Sequence, residues 1–276
     1  MPSEYIPFRN THYFSSFICN YLDEQDHLKP YYHRFPTLKN FKAQIEEKQL
    51  SYEYSKRELL VKRLLLQYEG LNVSSLSLSN IESLKHRTTF TVTTGHQLNL
   101  FTGPLYFFYK IISTINLCKD LKEAYPEYDF VPIYWMATED HDFEEINYFN
   151  FMGKKVQWNK DASGAVGDMD LDGLDQVYEV FASQLNKSVN AEKLKRLFKS
   201  SYLDHKNLTE ATRYLVNELF SSYGLVIIDG NDIELKRMFI PSIEEELITR
   251  ASFDRVSDIN DKINAIPDHN YKIQVQ

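Results

Sequence analysis

Cysteine is scarce in this sequence, since Cys19 and Cys118 are the two among 276 residues. They lie far apart and form no CxxC pair, so the sequence offers neither a disulfide framework nor a zinc site and suits a reducing compartment. Long apolar runs are also missing, because no stretch approaches the roughly 20 apolar residues of a membrane-spanning helix and no signal-peptide segment opens the chain. These absences predict a cytoplasmic protein with no membrane partner.

Positive charge is in the minority. Lys and Arg number 31 against 39 Asp and Glu, which gives a formal net charge of −8. A general nucleic-acid binder needs clustered Lys and Arg to neutralise phosphates, so the sequence predicts no nucleic-acid partner. Aromatic residues are abundant by contrast, with 19 Tyr and 18 Phe, and they favour packed interfaces and pockets over disorder.

Three apolar segments are typical of parallel strands. Residues 88–95 (TTFTVTTG) form a β-branched run, residues 128–137 (YDFVPIYWMA) are apolar on both faces, and residues 225–229 (LVIID) end at an Asp-Gly turn. Between the first two, residues 104–122 predict a largely buried helix that opens with Pro104. Because a strand, a helix and a strand in this order make a βαβ unit, we predict an α/β fold with a parallel sheet.

The rest of the chain predicts helices and inserts around this sheet. The expected division is an N-terminal arm with helices at 1–88, a first βαβ half at 89–145, a connecting insert at 146–208 and an incomplete second part of the core at 209–276. Within these segments we predict, in chain order, a short helix around 14–22, a long amphipathic helix at 41–68, a short helix within 71–84, a hairpin turning at 152–153, a mobile Gly- and Asp-rich loop at 161–175, helices within 172–222 with Thr209 as a cap, a helix at 233–250 and a strand near 270–276.

Polar residues follow each predicted strand. They are residues 93–97 (TTGHQ), residues 138–142 (TEDHD) and residues 229–232 (DGND). Parallel strands bring their carboxyl ends to one edge of the sheet, and ligands bind beyond that edge in α/β proteins. The sequence therefore predicts a binding site at this edge.

The corner after the first strand has a physical interpretation. Gly95 allows a sharp turn and a close approach of a ligand to the backbone, while Gly103 precedes a helix whose free N–H groups favour phosphate or carboxylate. Thr102 could cap that helix or donate to an anion, and His96 could stabilise charge on a transferring phosphoryl group. The alternative is an ordinary strand-to-helix turn in which the histidine bonds to backbone.

The EDHD sequence at 139–142 is the second candidate. Placing consecutive ionisable residues after a buried strand costs free energy unless they are exposed, are paired, or serve in binding or catalysis. The carboxylates could coordinate magnesium or hold a ligand amine, and His141 could act as a general base. Alternatively, Asp142 and Glu145 are spaced like a capping box at a solvated helix start. Asp229 could meet a ribose hydroxyl or an amine, or simply form a turn.

Two motifs together resemble a known family. TGHQLNLFTGPLYFFYKI at 94–111 and VPIYWMATEDHDFEEIN at 131–147 closely resemble BshC, the cysteine-adding enzymes of bacillithiol biosynthesis, and weaker similarity extends through VIIDGND to the closing NYKIQVQ. BshC proteins are longer and continue into more of the core and a coiled-coil segment. The resemblance thus implies that this sequence is an N-terminal part, truncated before the coiled coil.

The resemblance implies a Rossmann-like core similar to class I aminoacyl-tRNA synthetases and nucleotidyltransferases, and a homodimer formed through the coiled coil. The implied reaction is ATP-dependent ligation of cysteine to glucosaminyl-malate, the last step towards bacillithiol, with ATP and Mg²⁺ activating the cysteine carboxylate. The synthetase signature His-x-Gly-His corresponds here to residues 93–96 (TTGH), so the second His is kept and the first is Thr. BshC proteins often have Gln where His96 stands.

The resemblance also implies roles for the candidate residues. The catalytic candidates are His96, Asp140, His141 and Asp142. The nucleotide-binding candidates are Thr94, Gly95, Gln97, Thr102, Gly103 and Asp229. No metal-ligating set is predicted. Two other functions stay open at this point, a metal-dependent amidohydrolase or deacetylase of an amino-sugar, and a non-catalytic dimerising scaffold built on the helix at 41–68.

Overall fold

A computed structural model of the protein describes residues 4–267, 269, 271 and 273. The chain divides into two compact units, one made of residues 1–44 and 239–276 and the other of residues 45–238. The division predicted at 88, 145 and 208 stays a prediction. Among the described residues, no helix is both long and apolar enough to cross a membrane.

The strands of the described residues lie in the unit of residues 45–238. In chain order they are β1 (Thr89–His96), β2 (Asp129–Met136), β3 (Tyr148–Phe151), β4 (Lys154–Gln157) and β5 (Val226–Asp229). The helices are α1 (Phe8–Thr11), α2 (Ser16–Leu22), α3 (Leu38–Ser51), α4 (Tyr54–Gln67), α5 (Ser75–Ser83), α6 (Tyr106–Ala124), α7 (Phe143–Ile146), α8 (Leu174–Gln184), α9 (Val189–Tyr202), α10 (Leu208–Phe220), α11 (Ile233–Arg237), α12 (Ile240–Thr249) and α13 (Ala251–Asn264). Short 3₁₀ turns are found at Asp26–Tyr31, Leu100–Thr102, Val166–Asp168 and Ser221–Tyr223.

The predicted α/β fold is confirmed. Strands β1, β2 and β5 form a parallel sheet in the order β1-β2-β5, with α6 as the connection between β1 and β2. The central strand β2 is buried along most of its length, as its apolar sequence predicts, whereas β1 exposes alternate residues. In register, His96 lies opposite Met136 and Met136 lies opposite Asp229, so the three carboxyl ends meet at one edge.

The predicted hairpin is also confirmed. Strands β3 and β4 pair antiparallel, with Tyr148 opposite Gln157. The turn between them holds Met152 at φ 48° and Gly153 at φ 75°. Two successive positive φ angles match the twist of the flanking strands, which explains why a glycine follows Met152.

One predicted helix is two in the structure. Residues 41–68 were expected to be continuous, but α3 ends at Ser51 and α4 begins at Tyr54, with Glu53 extended at ψ 143°. No glycine or proline marks this break. Its cause is packing, because α4 buries Arg57, Val61 and Leu64 while α3 buries Ile45, and burial outweighs the small helix propensities of the connecting residues.

Three boundaries also differ from prediction. The helix expected from Pro104 begins at Tyr106, since residues 101–103 have positive φ. The helix expected at 233–250 is interrupted between α11 and α12, because Pro241 is tolerated in the first turn of a helix but not inside one. The cap of α10 is Asn207 and not Thr209, since the Asn207 side chain accepts the Glu210 N–H at 2.9 Å.

The loop at 161–175, predicted to be mobile, is anchored to the carboxyl edge of the sheet. Val166 N–H donates to Asp140 O at 2.7 Å, and Gly167 N–H donates to Thr138 O at 3.0 Å. A side chain at Gly167 would place its Cβ 2.5 Å from Thr209 Oγ1. The loop therefore lies directly on the residues that follow β2.

The other unit has its own small core. Leu28, Ile263 and Tyr271 are buried together in it. The Tyr271 hydroxyl lies 2.6 Å from Asn20 Nδ2 and 2.7 Å from His27 Nε2. The strand predicted near 270–276 falls mostly outside the described residues.

Candidate functional site

His96 ends β1 as a buried, neutral imidazole. The residue is 7% exposed, and its ring lies against Tyr106 and Phe107, each with centroids 5.2 Å away. Burial, assisted by the positive charge of Lys110, lowers the pKa of His96 to about 4. Its Nε2 is buried and has no hydrogen-bond partner among the described residues. At neutral pH this imidazole can therefore donate or accept a hydrogen bond, but it carries no charge.

The turn that follows is held in an unusual backbone conformation. Phe101, Thr102 and Gly103 have φ angles of 49°, 73° and 60° in succession. Left-handed conformations cost about 1–3 kcal/mol at a non-glycine residue and need surrounding structure to maintain them. At Gly103 a Cβ would lie 2.5 Å from Asn99 Cβ. Only glycine fits that position, so the shape of the turn is strongly specified.

A cluster of aromatic residues stabilises this turn. The Phe101 N–H donates to the buried Tyr202 hydroxyl at 2.8 Å. The Phe101 ring lies 5.1–5.7 Å, centroid to centroid, from three others, those of Phe149, Phe181 and Phe198. Such aromatic pairs contribute about 0.5–1.5 kcal/mol each beyond the burial of apolar area. The cluster thus offsets the strain in the turn.

Gln97 connects the end of β1 to the EDHD sequence. Its Nε2 donates to Asp140 Oδ2 at 3.0 Å and to Glu145 Oε2 at 2.8 Å. Asp140 Oδ1 also accepts the N–H groups of His141 at 2.7 Å and Asp142 at 3.2 Å. The hydrogen bond from Gln97 first, and then these N–H groups, hold the pKa of Asp140 below its ordinary value. Asp140 is consequently an ionised carboxylate in a fixed position.

The other two catalytic candidates of this sequence are exposed. The His141 side chain is 88% exposed, and its Nδ1 lies 3.9 Å from Asp140 Oδ1. Asp142 is also exposed and precedes α7 without a side-chain cap bond. The capping-box interpretation is wrong, because Glu145 N–H donates to the backbone oxygen of Asp142 and the Glu145 carboxylate accepts from Gln97.

Asp229 lies in a different network at the end of β5. Its carboxylate accepts hydrogen bonds from the Thr138 hydroxyl and from Asn231 N–H at 2.9 Å, and it lies 3.4 Å from an Arg213 nitrogen. Its N–H donates to Gln67 Oε1 at 2.9 Å. The Asp229 side chain is 19% exposed, so this carboxylate is largely satisfied by the protein itself.

The sequence interpretation missed Gln67, Arg63 and Arg213. Gln67 also donates to Asp232 Oδ2 at 3.1 Å, and Arg63 Nε donates to both Asp232 oxygens at 2.9 and 3.1 Å. Arg63 and Gln67 are four residues apart on α4 and so lie on one face. The four-residue spacing was the only sequence signal for this pair. It could not indicate that Asp232, more than 160 positions further along the chain, is their partner.

The structure therefore brings the candidates together in two groups. Gln97 joins Asp140 at the ends of β1 and β2, and Thr138 joins Asp229 at the ends of β2 and β5. The register across β2 places His96 and Asp229 about 10 Å apart, since neighbouring strands are about 4.8 Å apart. His141 contacts the first group through its N–H, which donates to Asp140, while its side chain is 88% exposed.

All of the nucleotide-binding candidates except Asp229 lie at the corner after β1. Thr94 is half-buried, and Gly95 lies exposed opposite Trp135. A Cβ at Gly95 would meet only the Trp135 backbone oxygen, at 3.9 Å, so the protein's own packing does not require glycine there. Thr102 is half-buried and makes no cap bond to α6, which begins without a side-chain cap.

These features define the chemistry available at the edge. The amino end of α6 follows the left-handed turn without a side-chain cap, and its partial positive charge suits an anion, although Phe107, Phe108 and Tyr109 already donate their N–H groups to the Pro104 and Leu105 oxygens. Asp140 and Glu145 share the Gln97 amide and form an acidic patch that suits an ammonium group or a cation. Among the described residues, no group of three or more His, Cys, Asp or Glu side chains is placed to hold a metal ion.

Comparison with known proteins extends this description. The chain matches the family model described as bacillithiol biosynthesis BshC, N-terminal Rossmann-like domain, over residues 1–276. Proteins named "Putative cysteine ligase BshC" from Flavobacterium johnsoniae and Flavobacterium psychrophilum are 51% and 52% identical to it, over 275 and 276 residues. The relative of the same name from Cytophaga hutchinsonii is 39% identical over 272 residues.

These alignments cover 99–100% of the chain and 49–51% of each relative. The chain therefore spans about half the length of the curated relatives it matches. The match and the observed parallel sheet confirm the resemblance seen in the two sequence motifs. This chain belongs to the BshC family, and it matches that family's N-terminal Rossmann-like domain.

Proposed function

We propose that this protein is an ATP-dependent ligase that joins cysteine to glucosaminyl-malate through an amide bond in the last step of bacillithiol biosynthesis. The observation that carries the proposal is the match of the whole chain, at 51–52% identity, to proteins named as cysteine ligases. The polar edge of the parallel sheet supports it, because that edge is where α/β proteins bind nucleotides and small substrates.

In this proposal the corner after β1 binds the ATP phosphates. Gly95 and Gly103 would allow the phosphates a close approach to the backbone, the Thr102 hydroxyl would donate to them, and Thr94 and Gln97 would flank them. The backbone N–H groups of Thr102 and Gly103 already donate within the turn, so the helix dipole of α6 would supply the remaining attraction. Helix α6 suits phosphate binding, because it is 19 residues long and its amino end carries partial positive charge. The neutral His96 would contribute a hydrogen bond to the phosphates and not a charge.

The acidic patch would bind the amino substrate. Asp140 is ionised and fixed, so it would hold the sugar ammonium group before reaction, while the exposed His141 and Asp142 are free to meet the substrate or the Mg²⁺ that accompanies ATP. Because its pKa is lowered, Asp140 is a weak base. We therefore assign it to orientation of the amine. Asp229 would accept a ribose hydroxyl with the part of its carboxylate that the protein leaves exposed.

The proposed chemistry has two steps. The cysteine carboxylate attacks the α-phosphorus of ATP, which forms a cysteinyl adenylate and breaks the bond to pyrophosphate, which leaves. The sugar amine, after its ammonium group has lost a proton to solvent, attacks the acyl carbon. The C–N bond forms, the C–O bond to AMP breaks, AMP leaves, and the second amine proton passes to solvent.

The test is to incubate the full-length protein with ATP, cysteine and glucosaminyl-malate and to detect the amide product by mass. We expect product only when all three substrates are present. Asp140→Asn should lower turnover at least tenfold, whereas Asp120→Asn, the same change at an exposed position on α6, should not. Product formation without ATP would contradict the ATP assignment, and no product under any condition would contradict the ligase assignment.

A further inference from the structure

A cavity lies at the amino edge of the sheet, opposite the candidate site and beside the start of β1. It has a volume of about 240 Å³. Its lining residues are Lys48, Tyr52, Arg57, Leu60, Leu84 and Thr89 to Thr91. We call it the Arg57 cavity. Thr89 and His96 are seven residues apart on one strand, which separates the cavity from the His96 corner by about 23 Å.

Arg57 is a buried cation without a counter-charge. The residue is 6% exposed, and its Nη1 donates to the backbone oxygens of Leu84 at 3.0 Å and Thr89 at 2.9 Å. No carboxylate among the described residues pairs with it. Its Nε is buried and has no hydrogen-bond partner in the described part of the chain, and the same is true of the hydroxyl oxygen of Thr89, which is 0% exposed. Buried polar groups are nearly always hydrogen-bonded, so these orphaned groups indicate a missing acceptor.

The surroundings of Arg57 are aromatic and positively charged. The guanidinium lies 5.1 Å from the Tyr52 ring centroid and 5.9 Å from that of Phe90. Lys48 is exposed on the cavity lining, and no acidic residue belongs to that lining. Burial, with a contribution from the positive charge of Arg87, lowers the pKa of Arg57. The two aromatic rings hold the plane of the guanidinium group. The edge of the guanidinium that makes no backbone hydrogen bonds can then donate to a planar acceptor such as a carboxylate.

We infer that the Arg57 cavity binds a small organic anion, whose carboxylate or phosphate group pairs with the unpartnered edge of Arg57 and the Thr89 hydroxyl. Leu60 and Leu84 would contact the apolar part of the ligand. The cavity is smaller than the roughly 300–1,000 Å³ of sites for drug-sized ligands, so the ligand is a small metabolite and not a nucleotide. This inference does not depend on the ligase activity.

Calorimetric titration of the purified protein tests this site at fixed ionic strength. The probes are benzoate, its neutral counterpart benzamide, and inorganic phosphate. We expect benzoate or phosphate to bind at millimolar concentration or below, and benzamide at least tenfold more weakly than benzoate. Binding of benzoate alone identifies a carboxylate site, whereas competition by phosphate identifies a site for phosphorylated metabolites.

The decisive variant is Thr91→Asp. Thr91 lines the cavity at an exposed position of β1, so its substitution should leave the contacts of Arg57 intact. A carboxylate there should weaken anion binding at least tenfold, while the neutral Thr91→Asn should weaken it less than threefold. Arg57→Met should abolish binding in any preparation that circular dichroism shows to be folded. Failure of both anions to bind at 20 mM, equal binding of benzamide, or an unchanged affinity in Thr91→Asp would overturn the inference.

Discussion

The buried imidazole of His96 should make the stability of this protein depend on pH in a predictable way. Its pKa is lowered to about 4 in the folded state, against about 6.5 in an unfolded chain. Between these values the unfolded state binds a proton and the folded state does not, so the free energy of unfolding rises with pH. The contribution is fully present above pH 6.5 and is lost as the pH falls to 4.

The size of the effect follows from the two pKa values. Lowering the pH from 7 to 5 should cost about 2 kcal/mol through His96 alone, and the full shift between pH 7 and pH 3 corresponds to about 3 kcal/mol. Solvent screens this effect only weakly, because the residue is 7% exposed. An exposed histidine would contribute almost nothing over the same interval.

Urea unfolding at pH 7 and pH 5 measures this contribution, with His96→Gln as the comparison. The carboxylates titrate in both proteins, so their effect cancels in the difference between the two pH dependences. We expect the wild type to lose about 2 kcal/mol more than the variant between pH 7 and pH 5. Equal losses, within about 0.5 kcal/mol, would refute the placement of His96 as a buried neutral group.

Four further substitutions test other parts of the structure. Gly103→Ala should lower the free energy of unfolding in urea by about 3 kcal/mol, and Gly153→Ala should lower it by about 1 kcal/mol. Both positions have positive φ, but only a Cβ at position 103 would clash with a neighbour. Asp232→Ala should cost about 2–4 kcal/mol by the same assay, since it removes two cap bonds and leaves a cation unpaired. Gln97→Leu should raise the pKa of Asp140 in a carboxyl NMR titration, and an unchanged value would contradict the amide contact.

The sheet was predictable because its sequence pattern is local. The apolar run of β2 indicated an interior strand, and the polar residues after β1, β2 and β5 indicated the edge where they meet. The break between α3 and α4 was not predictable, because helix propensity continues through Tyr52 and tertiary packing decides the boundary.

The candidate site was only partly predictable for a similar reason. Asp140 and Gln97 were both named from the sequence, and the structure places them in contact. No periodicity connects Gln67 or Arg213 to Asp229, since these contacts depend on how α4 and α10 pack against the sheet. Phe101 and Thr102 disfavour left-handed backbone angles. Packing against aromatic residues that are distant in sequence outweighs this preference.

That turn has a consequence for how the protein folds. Its N–H partner Tyr202 belongs to α9, about one hundred positions further along the chain, so the corner cannot hold its final shape until α8 and α9 have docked. Contacts between such distant positions form late, because a long loop must close first. A protein that has formed its sheet but not yet docked these helices would contain every residue of the site and still be unable to bind ligand.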